Sequence, residues 1–282
     1  MHYAILWMFG TVVSYSAVAI ATREASYVVD TPTILFIRSL VAIVLVTLLL
    51  GFSRQGFTQV RTDRVYMHVA RNCVHFVGQF GWFFSIALIP LAHVFALEFT
   101  TPIWIALLAP VFLNEKLTMS RVLCILVGFV GVMIIVRPFG MGVEVGSVAM
   151  LIGAAGFAGA MLFTRKLLST ESPLCILFYM AIMQLPMSTG LLVLFGDFQF
   201  PDLSTLFLIV FITAGVMFSH YCMARAFQLA EVSAVVPVEY LRLPLIAIAG
   251  ALLYAEPIDL ATIVGGAAII AANYMNLRSS AR

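Results

Sequence analysis

The chain has 282 residues, of which 63% are hydrophobic and 10% are charged, and its formal net charge is +2. A soluble domain is about half apolar and about a quarter charged. The composition therefore excludes an ordinary soluble domain and predicts an integral membrane protein whose main surroundings are the lipid bilayer. The small net charge also gives no indication of nucleic acid as a partner.

Ten apolar runs follow one another along the chain, and a transmembrane helix needs about 20 such residues. The runs are 2–20, 32–50, 68–89, 92–112, 121–137, 146–164, 174–195, 203–224, 232–253 and 258–277. Glycine, proline and charged residues gather between them, as at Asp30-Thr31-Pro32 and Glu256-Pro257. We therefore predict an all-α protein with ten transmembrane helices, short connections and no separate soluble domain.

Lysine and arginine predict the orientation, because cytoplasmic loops of membrane proteins are enriched in both. If the amino terminus is cytoplasmic, the external segments hold only Arg23 and Arg137. The cytoplasmic segments then hold eleven basic residues: Arg54, Arg61, Arg64, Arg71, Lys116, Arg121, Arg165, Lys166, Arg225, Arg278 and Arg282. We expect both termini in the cytoplasm.

A period of half the chain length suggests a duplication. Glu98 and Glu239 are 141 positions apart, and so are Glu115 and Glu256. Five helices per half is an odd number, so the second half must enter the membrane from the opposite side, as in many secondary transporters. The sequence therefore predicts two inverted five-helix repeats, residues 1–141 and 142–282, around a central cavity.

Small residues in the sixth run, Gly153, Gly156 and Gly159, are typical of helices that pack closely in lipid. A phosphate-binding glycine loop is the alternative, but it would have to follow a strand. We expect a packing role.

Ionisable residues within the spans are costly to bury and usually face the bundle interior. Arg38 and Glu98 each lie about 9 Å below the outer face, from the helical rise, so a salt bridge or a shared substrate site is feasible. Glu239 and Arg242 are three residues apart on one helix face and can pair with each other. These charges are either a zwitterion or proton site, or structural ion pairs that hold irregular helices together.

One face of the third run combines Arg71, His75, Gln79 and Trp82, and we expect it to point inward. It either lines a substrate path or bonds to neighbouring helices.

His93 and His220 are expected at the membrane ends. Prolines at 102, 186, 237 and 244 are expected to kink their helices beside a cavity. The predicted substrate-binding residues are Tyr15, Arg38, His75, Gln79, Trp82, Glu98, Tyr179, Gln184, Glu239 and Arg242.

The four cysteines, Cys73, Cys124, Cys175 and Cys222, lie in or at the ends of apolar runs and form no CxxC pair. Their spacing predicts free thiols, without a disulfide framework or a zinc site. We expect no catalytic residue, metal or cofactor.

Residues 91–138 combine a proline-bearing helix, a turn at Asn114-Glu115 and a glycine-bearing helix, and residues 232–274 repeat this order with Ala255-Glu256-Pro257. Together with the ten runs, these segments resemble the EamA-type branch of the drug/metabolite transporter superfamily. Asn114 replaces the usual glycine of the family turn, and Pro257 follows the second glutamate.

The resemblance implies a ten-helix carrier of the bacterial inner membrane that needs no ATPase subunit and exists as a monomer or homodimer. Helices 1–4 and 6–9 would line the cavity, and the Glu115 and Glu256 turns would be structural hinges or caps. The expected activity is export of neutral or aromatic amino acids by alternating access. The alternative within transport is import of a nucleoside-like or adenosylated metabolite.

Two other classes are less consistent with the sequence. A membrane enzyme would need a catalytic motif, and neither HExxH nor GxSxG occurs. A sensor or scaffold would usually carry a soluble domain or a long tail.

Overall fold

The computed structural model describes residues 2–113, 119–136, 144–229 and 236–280. Within these ranges every regular element is helical, which confirms the all-α prediction. The α-helices are α1 (His2–Ser26), α2 (Thr31–Phe52), α3 (Val65–Leu88), α4 (Leu91–Glu98), α5 (Thr101–Leu113), α6 (Met119–Val136), α7 (Val145–Leu167), α8 (Pro173–Phe195), α9 (Leu203–Leu229), α10 (Arg242–Tyr254) and α11 (Leu260–Ser280). Two 3₁₀ helices cover Gly56–Val60 and Val236–Leu241. The expectations for Glu115, Lys116, Arg137 and Arg282 fall outside the described residues.

The long helices agree with a membrane location. By length and composition, α1, α2, α7, α8 and Leu203–Met223 of α9 can cross a bilayer. Shorter apolar stretches occur at Leu91–Ile105, Ile125–Val136 and Leu260–Met275. The protein is therefore a multi-pass helical membrane protein.

Helix starts follow the capping residues of the sequence. Asp30 caps α2 by accepting a hydrogen bond from the Thr33 amide, and Ser172 caps α8 by accepting one from the Cys175 amide. Pro32 and Pro173 stand in the first turns of the same helices, where a missing N–H costs nothing. These caps fix where α2 and α8 enter the bundle.

The predicted fourth span is two helices, because the backbone breaks at Phe99 and Thr100. The predicted ninth span is broken similarly, since a 3₁₀ helix precedes Arg242. Thr101 and Arg242, which begin α5 and α10, are 141 positions apart. A carbonyl freed by the first break is satisfied by Asn273, whose amide nitrogen lies 2.6 Å from the Phe99 oxygen.

These breaks correct the expected effect of two prolines. Pro102 and Pro244 lie in the first turns of α5 and α10 and so begin helices rather than kink them. Pro186 lies within α8, as predicted. Pro237 belongs to the 3₁₀ helix Val236–Leu241.

Helices of the first half pack on helices of the second half. The main pairs are α1 with α9, α2 with α8, α3 with α7, and α6 with α11. At the α3–α7 crossing, a Cβ built on Gly156 would lie 2.6 Å from the Val74 carbonyl oxygen and 2.7 Å from the Gly78 nitrogen. This contact of backbone on backbone confirms the packing role predicted for the glycines of the sixth run.

Gly156→Ala should therefore lower the Tm of the detergent-purified protein by about 3 °C or more, because overpacking costs about 1–3 kcal/mol. Gly190→Ala in α8 is the matched control, since a Cβ there meets nothing within 4 Å. The control should leave the Tm unchanged or raise it slightly, because alanine favours helix. Equal Tm values for the two variants would contradict the close approach.

Candidate functional site

An ion pair joins the two halves where the broken spans meet. Glu98 ends α4 and Arg242 begins α10, and Arg242 Nη2 lies 2.9 Å from Glu98 Oε1. Trp82 Nε1 donates to the other Glu98 oxygen at 2.9 Å. Both carboxylate oxygens are thus engaged by side chains from two other helices.

Aromatic rings surround the cation of this pair. The Arg242 guanidinium carbon lies 5.1, 4.8 and 5.4 Å from the ring centroids of Tyr15, Phe95 and Phe99. Such distances allow cation–π attraction, which strengthens where water is excluded. Arg242 is 5% exposed, so its charge is stabilised by Glu98 and by these rings.

The structure changes the predicted pairing of Arg242. The sequence allowed a pair with Glu239 on the same helix, but Arg242 bonds to Glu98 because the start of α10 packs against α4. Glu239 is partly buried and close enough to interact electrostatically with Arg242 and Glu98. Among the described residues, no hydrogen bond to its carboxylate is formed.

A second group is centred on Arg38 of α2. Its Nη2 donates to the side-chain oxygen of Gln79 from α3 and, at 3.3 Å, to that of Gln184 from α8. The Gln184 amide nitrogen then donates to His75 Nδ1 at 2.7 Å, which requires the neutral Nε2–H tautomer of His75. All four side chains are more than nine-tenths buried.

This second group contains two buried donors that its own hydrogen bonds do not use. Arg38 Nε and Gln79 Nε2 have no partner among the described residues. The salt bridge between Arg38 and Glu98 that the sequence made feasible is not formed, because each residue bonds to other side chains. Arg38 is thus a buried cation held by neutral amides, with donors directed into the interior.

Tyr15 and His220 extend the first group. Tyr15 Oη lies 3.4 Å from His220 Nε2, and the two rings meet edge to face. His220 was expected at a membrane end, and it lies near the end of the Leu203–Met223 stretch of α9, which continues to Leu229. The period could have revealed His220 as a member of this group, because Gln79 and His220 are 141 positions apart.

Tyr179 lies apart from both groups. Its hydroxyl donates to the Val60 carbonyl at 3.1 Å, and its ring packs on His68 with centroids 4.3 Å apart. Arg71 donates to Thr164 and Asn72 near the same end of the bundle. The structure therefore brings nine of the ten predicted binding residues into or beside two groups and separates Tyr179.

Glu256 connects the loops at the opposite end. Its Oε1 lies 2.7 Å from Arg23 Nη1, and its Oε2 accepts a hydrogen bond from the Leu91 amide at 2.8 Å. Arg23 also donates to the Ile89 carbonyl at 2.6 Å. Glu256 thus caps the start of α4, in agreement with the structural role expected for its turn.

The sequence is similar to a known protein family and to several named transporters. The EamA-like transporter family matches residues 2–137 and 144–278. A riboflavin transporter of Brucella anthropi is 30% identical over 271 residues, which cover 94% of this chain and 95% of the relative. An S-adenosylmethionine uptake transporter of Rickettsia bellii is 27% identical, with coverages of 77% and 74%.

A pseudopaline exporter of Pseudomonas aeruginosa is 28% identical over 261 residues, which cover 92% of this chain and 90% of the relative. All three bacterial relatives are named as transporters or exporters, and none is named as an enzyme. The chain therefore belongs to the EamA-like transporter family of the drug/metabolite transporter superfamily, and it is a multi-pass transporter of the bacterial inner membrane rather than an enzyme.

Proposed function

We propose that the chain is a secondary transporter that works by alternating access. Its substrate binds between the Glu98–Arg242 pair and the Arg38 group. The observation that carries this proposal is the set of buried donors without partners beside a paired charge. Burying such groups costs free energy unless something binds to them. A substrate in the interior would supply the missing acceptors.

The charge of the interior favours a neutral or anionic substrate. Arg38 and Arg242 lie in the site against the two acids Glu98 and Glu239, and Arg71, one turn from His75 along α3, adds positive charge from the end of the bundle. A cationic substrate would meet excess positive charge. The rings of Tyr15 and Trp82 suit a flat aromatic molecule, because aromatic rings stack favourably. A neutral, nitrogen-rich aromatic metabolite fits both properties.

Riboflavin is the first candidate of this class, since a relative of nearly equal length is named for its transport. We propose uptake as the direction, as in the alternative that the sequence left open. The named uptake of an adenosylated metabolite by another relative supports this direction.

Export of an amino acid, the first expectation from sequence, is the second candidate. Arg38 could bind its carboxylate and Glu239 its ammonium group.

Counterflow into proteoliposomes separates these candidates. Vesicles loaded with unlabelled substrate would be diluted into labelled riboflavin, adenosine, S-adenosylmethionine or phenylalanine. We expect rapid accumulation of riboflavin and none in protein-free vesicles. Accumulation of phenylalanine without riboflavin would support the amino acid carrier instead. Repeating the assay with and without a pH difference would test proton coupling.

We also propose that residues 1–141 and 142–282 are repeats of opposite orientation around a central cavity. The two ranges matched by the family, the equivalent helix breaks and the pairing of α1 with α9 and α3 with α7 support this. Exchanging the halves of a two-fold arrangement would convert one of these pairs into the other. Ten spans would place both termini on the same side, and the lysine and arginine distribution favours the cytoplasm, so reporter tags at both ends should be active on that side only. Tags active on opposite sides would reject the arrangement.

A further inference from the structure

A third polar cluster lies at the end of the bundle where α3 and α8 begin, away from the proposed substrate site. It consists of His68, Glu171 and Cys175, whose ligand atoms lie within 4.8 Å of one another. His68 is in the first turn of α3, Cys175 is in the first turn of α8, and Glu171 precedes α8. His68 is far from the other two in sequence, so cysteine and histidine spacing could not have revealed the cluster.

His68 points to a missing ligand. Its side chain is fully buried, and neither ring nitrogen has a hydrogen-bond partner among the described residues. Tyr179 covers one face of the ring with its own, at 4.3 Å between centroids, and offers its hydroxyl to Val60 instead. A buried imidazole without partners is costly, and a metal ion bound to one nitrogen would remove part of this cost.

The other two side chains are already positioned. The Cys175 thiol donates to Glu171 Oε2 at 3.0 Å, and the Thr62 hydroxyl donates to Glu171 Oε1 at 2.6 Å. Burial raises the pKa of Glu171. These hydrogen bonds and the nearby His68 and Arg64 lower it by more, so the net pKa lies below its usual value. The carboxylate is therefore ionised at neutral pH.

We propose that His68, Glu171 and Cys175 bind one zinc-class divalent cation through an imidazole nitrogen, a carboxylate oxygen and a thiolate sulfur. Nitrogen and sulfur donors favour zinc over magnesium or calcium, which take oxygen ligands. Donors of a tetrahedral zinc ion lie about 3.5 Å apart, given bonds of about 2.0–2.3 Å. Reaching this spacing means closing gaps of up to 4.8 Å and opening the 3.0 Å contact between Cys175 and Glu171 slightly.

Binding displaces the thiol proton of Cys175 to water, so one proton leaves for each ion bound. The thiolate and Glu171 then offset the charge of the ion, while Arg71, one turn along α3 from His68, and Arg64 are nearby positive charges that oppose binding. Glu171 is partly exposed and gives access from the connection between α7 and α8. The ion links a helix of the first half to a helix of the second.

The test uses tag-free, full-length protein in detergent, stripped with a chelator and titrated with Co²⁺ and then Zn²⁺. We expect one ion per chain, a thiolate-to-cobalt charge-transfer absorption that zinc abolishes, and release of about one proton. Cys175→Ser should remove the absorption and weaken zinc binding by about tenfold or more. Cys222→Ser, a buried cysteine elsewhere, should change neither.

His68→Gln provides a second variant that keeps the thiol, and it should also weaken zinc binding about tenfold or more. Size-exclusion profiles would establish that each variant is folded, and either variant alone is sufficient for the test. Failure of the wild-type protein to bind Co²⁺ or Zn²⁺ stoichiometrically would overturn the proposal. So would unchanged binding in a folded Cys175→Ser or His68→Gln protein.

Discussion

Glu98→Gln is expected to reduce substrate uptake in proteoliposomes by about a hundredfold or more, because it leaves Arg242 as a buried cation without an anion. Removing one partner of a buried pair costs about 3–5 kcal/mol. The variant also weakens the hydrogen bond accepted from Trp82. Arg242→Gln should give a similar loss, since the carboxylate would then be the uncompensated charge.

The double variant Glu98→Gln with Arg242→Gln separates a structural pair from a functional one. With both charges removed, the Tm should recover relative to either single variant, but transport should not. Glu24→Gln is the matched control, because Glu24 is exposed and bonds to Tyr254 at the far end of α1. Full transport by the double variant would show that the pair only holds the helices together.

Arg38→Lys is expected to raise the apparent KM for the transported substrate by about tenfold or more while the protein stays folded. Lysine keeps the charge, but its flexible ammonium lacks the planar guanidinium, which holds Nη2 between Gln79 and Gln184. Arg38→Gln, which also removes the charge, should be more severe. Initial uptake rates over a range of substrate concentrations would measure both effects.

Arg64→Lys is the control for Arg38, because Arg64 donates to the Lys166 carbonyl near the α3 start, outside the proposed substrate site. Its apparent KM should equal that of the wild-type protein. An unchanged KM in Arg38→Lys would remove Arg38 from the binding site and leave it as a packing residue.

Apolar periodicity was sufficient to predict the helices but not their breaks. The run from residue 92 to 112 is mostly apolar despite Glu98 and Thr100-Thr101-Pro102, so the sequence predicted one helix there. At the break after Glu98, Asn273 satisfies the Phe99 carbonyl from 174 positions away. A tertiary hydrogen bond of this kind leaves no local pattern in the sequence.

The buried charges could be identified from sequence, but their partners could not. Hydropathy shows that Arg38, Glu98 and Arg242 lie at membrane depth, because each interrupts an apolar run. Which charges meet depends on how the helices pack, and Glu98 finds Arg242 144 positions away. Tyr179 was also assigned to the site from sequence, and the structure places it apart from the other nine residues, with its hydroxyl bonded to the Val60 backbone near the α3 start.

We propose that the groups around Arg38 and Glu98 line a path that opens to water. This opening is tested most directly by placing a cysteine at Ser188, a buried residue of α8 one turn from Gln184 whose hydroxyl lies 3.2 Å from that of Ser39. The background protein would have serine at Cys73, Cys124, Cys175 and Cys222. A membrane-impermeant thiol reagent should label Ser188→Cys in both right-side-out and inside-out vesicles, and transported substrate should slow the labelling. Labelling only by a lipid-soluble reagent, unaffected by substrate, would show that no such path opens at Ser188.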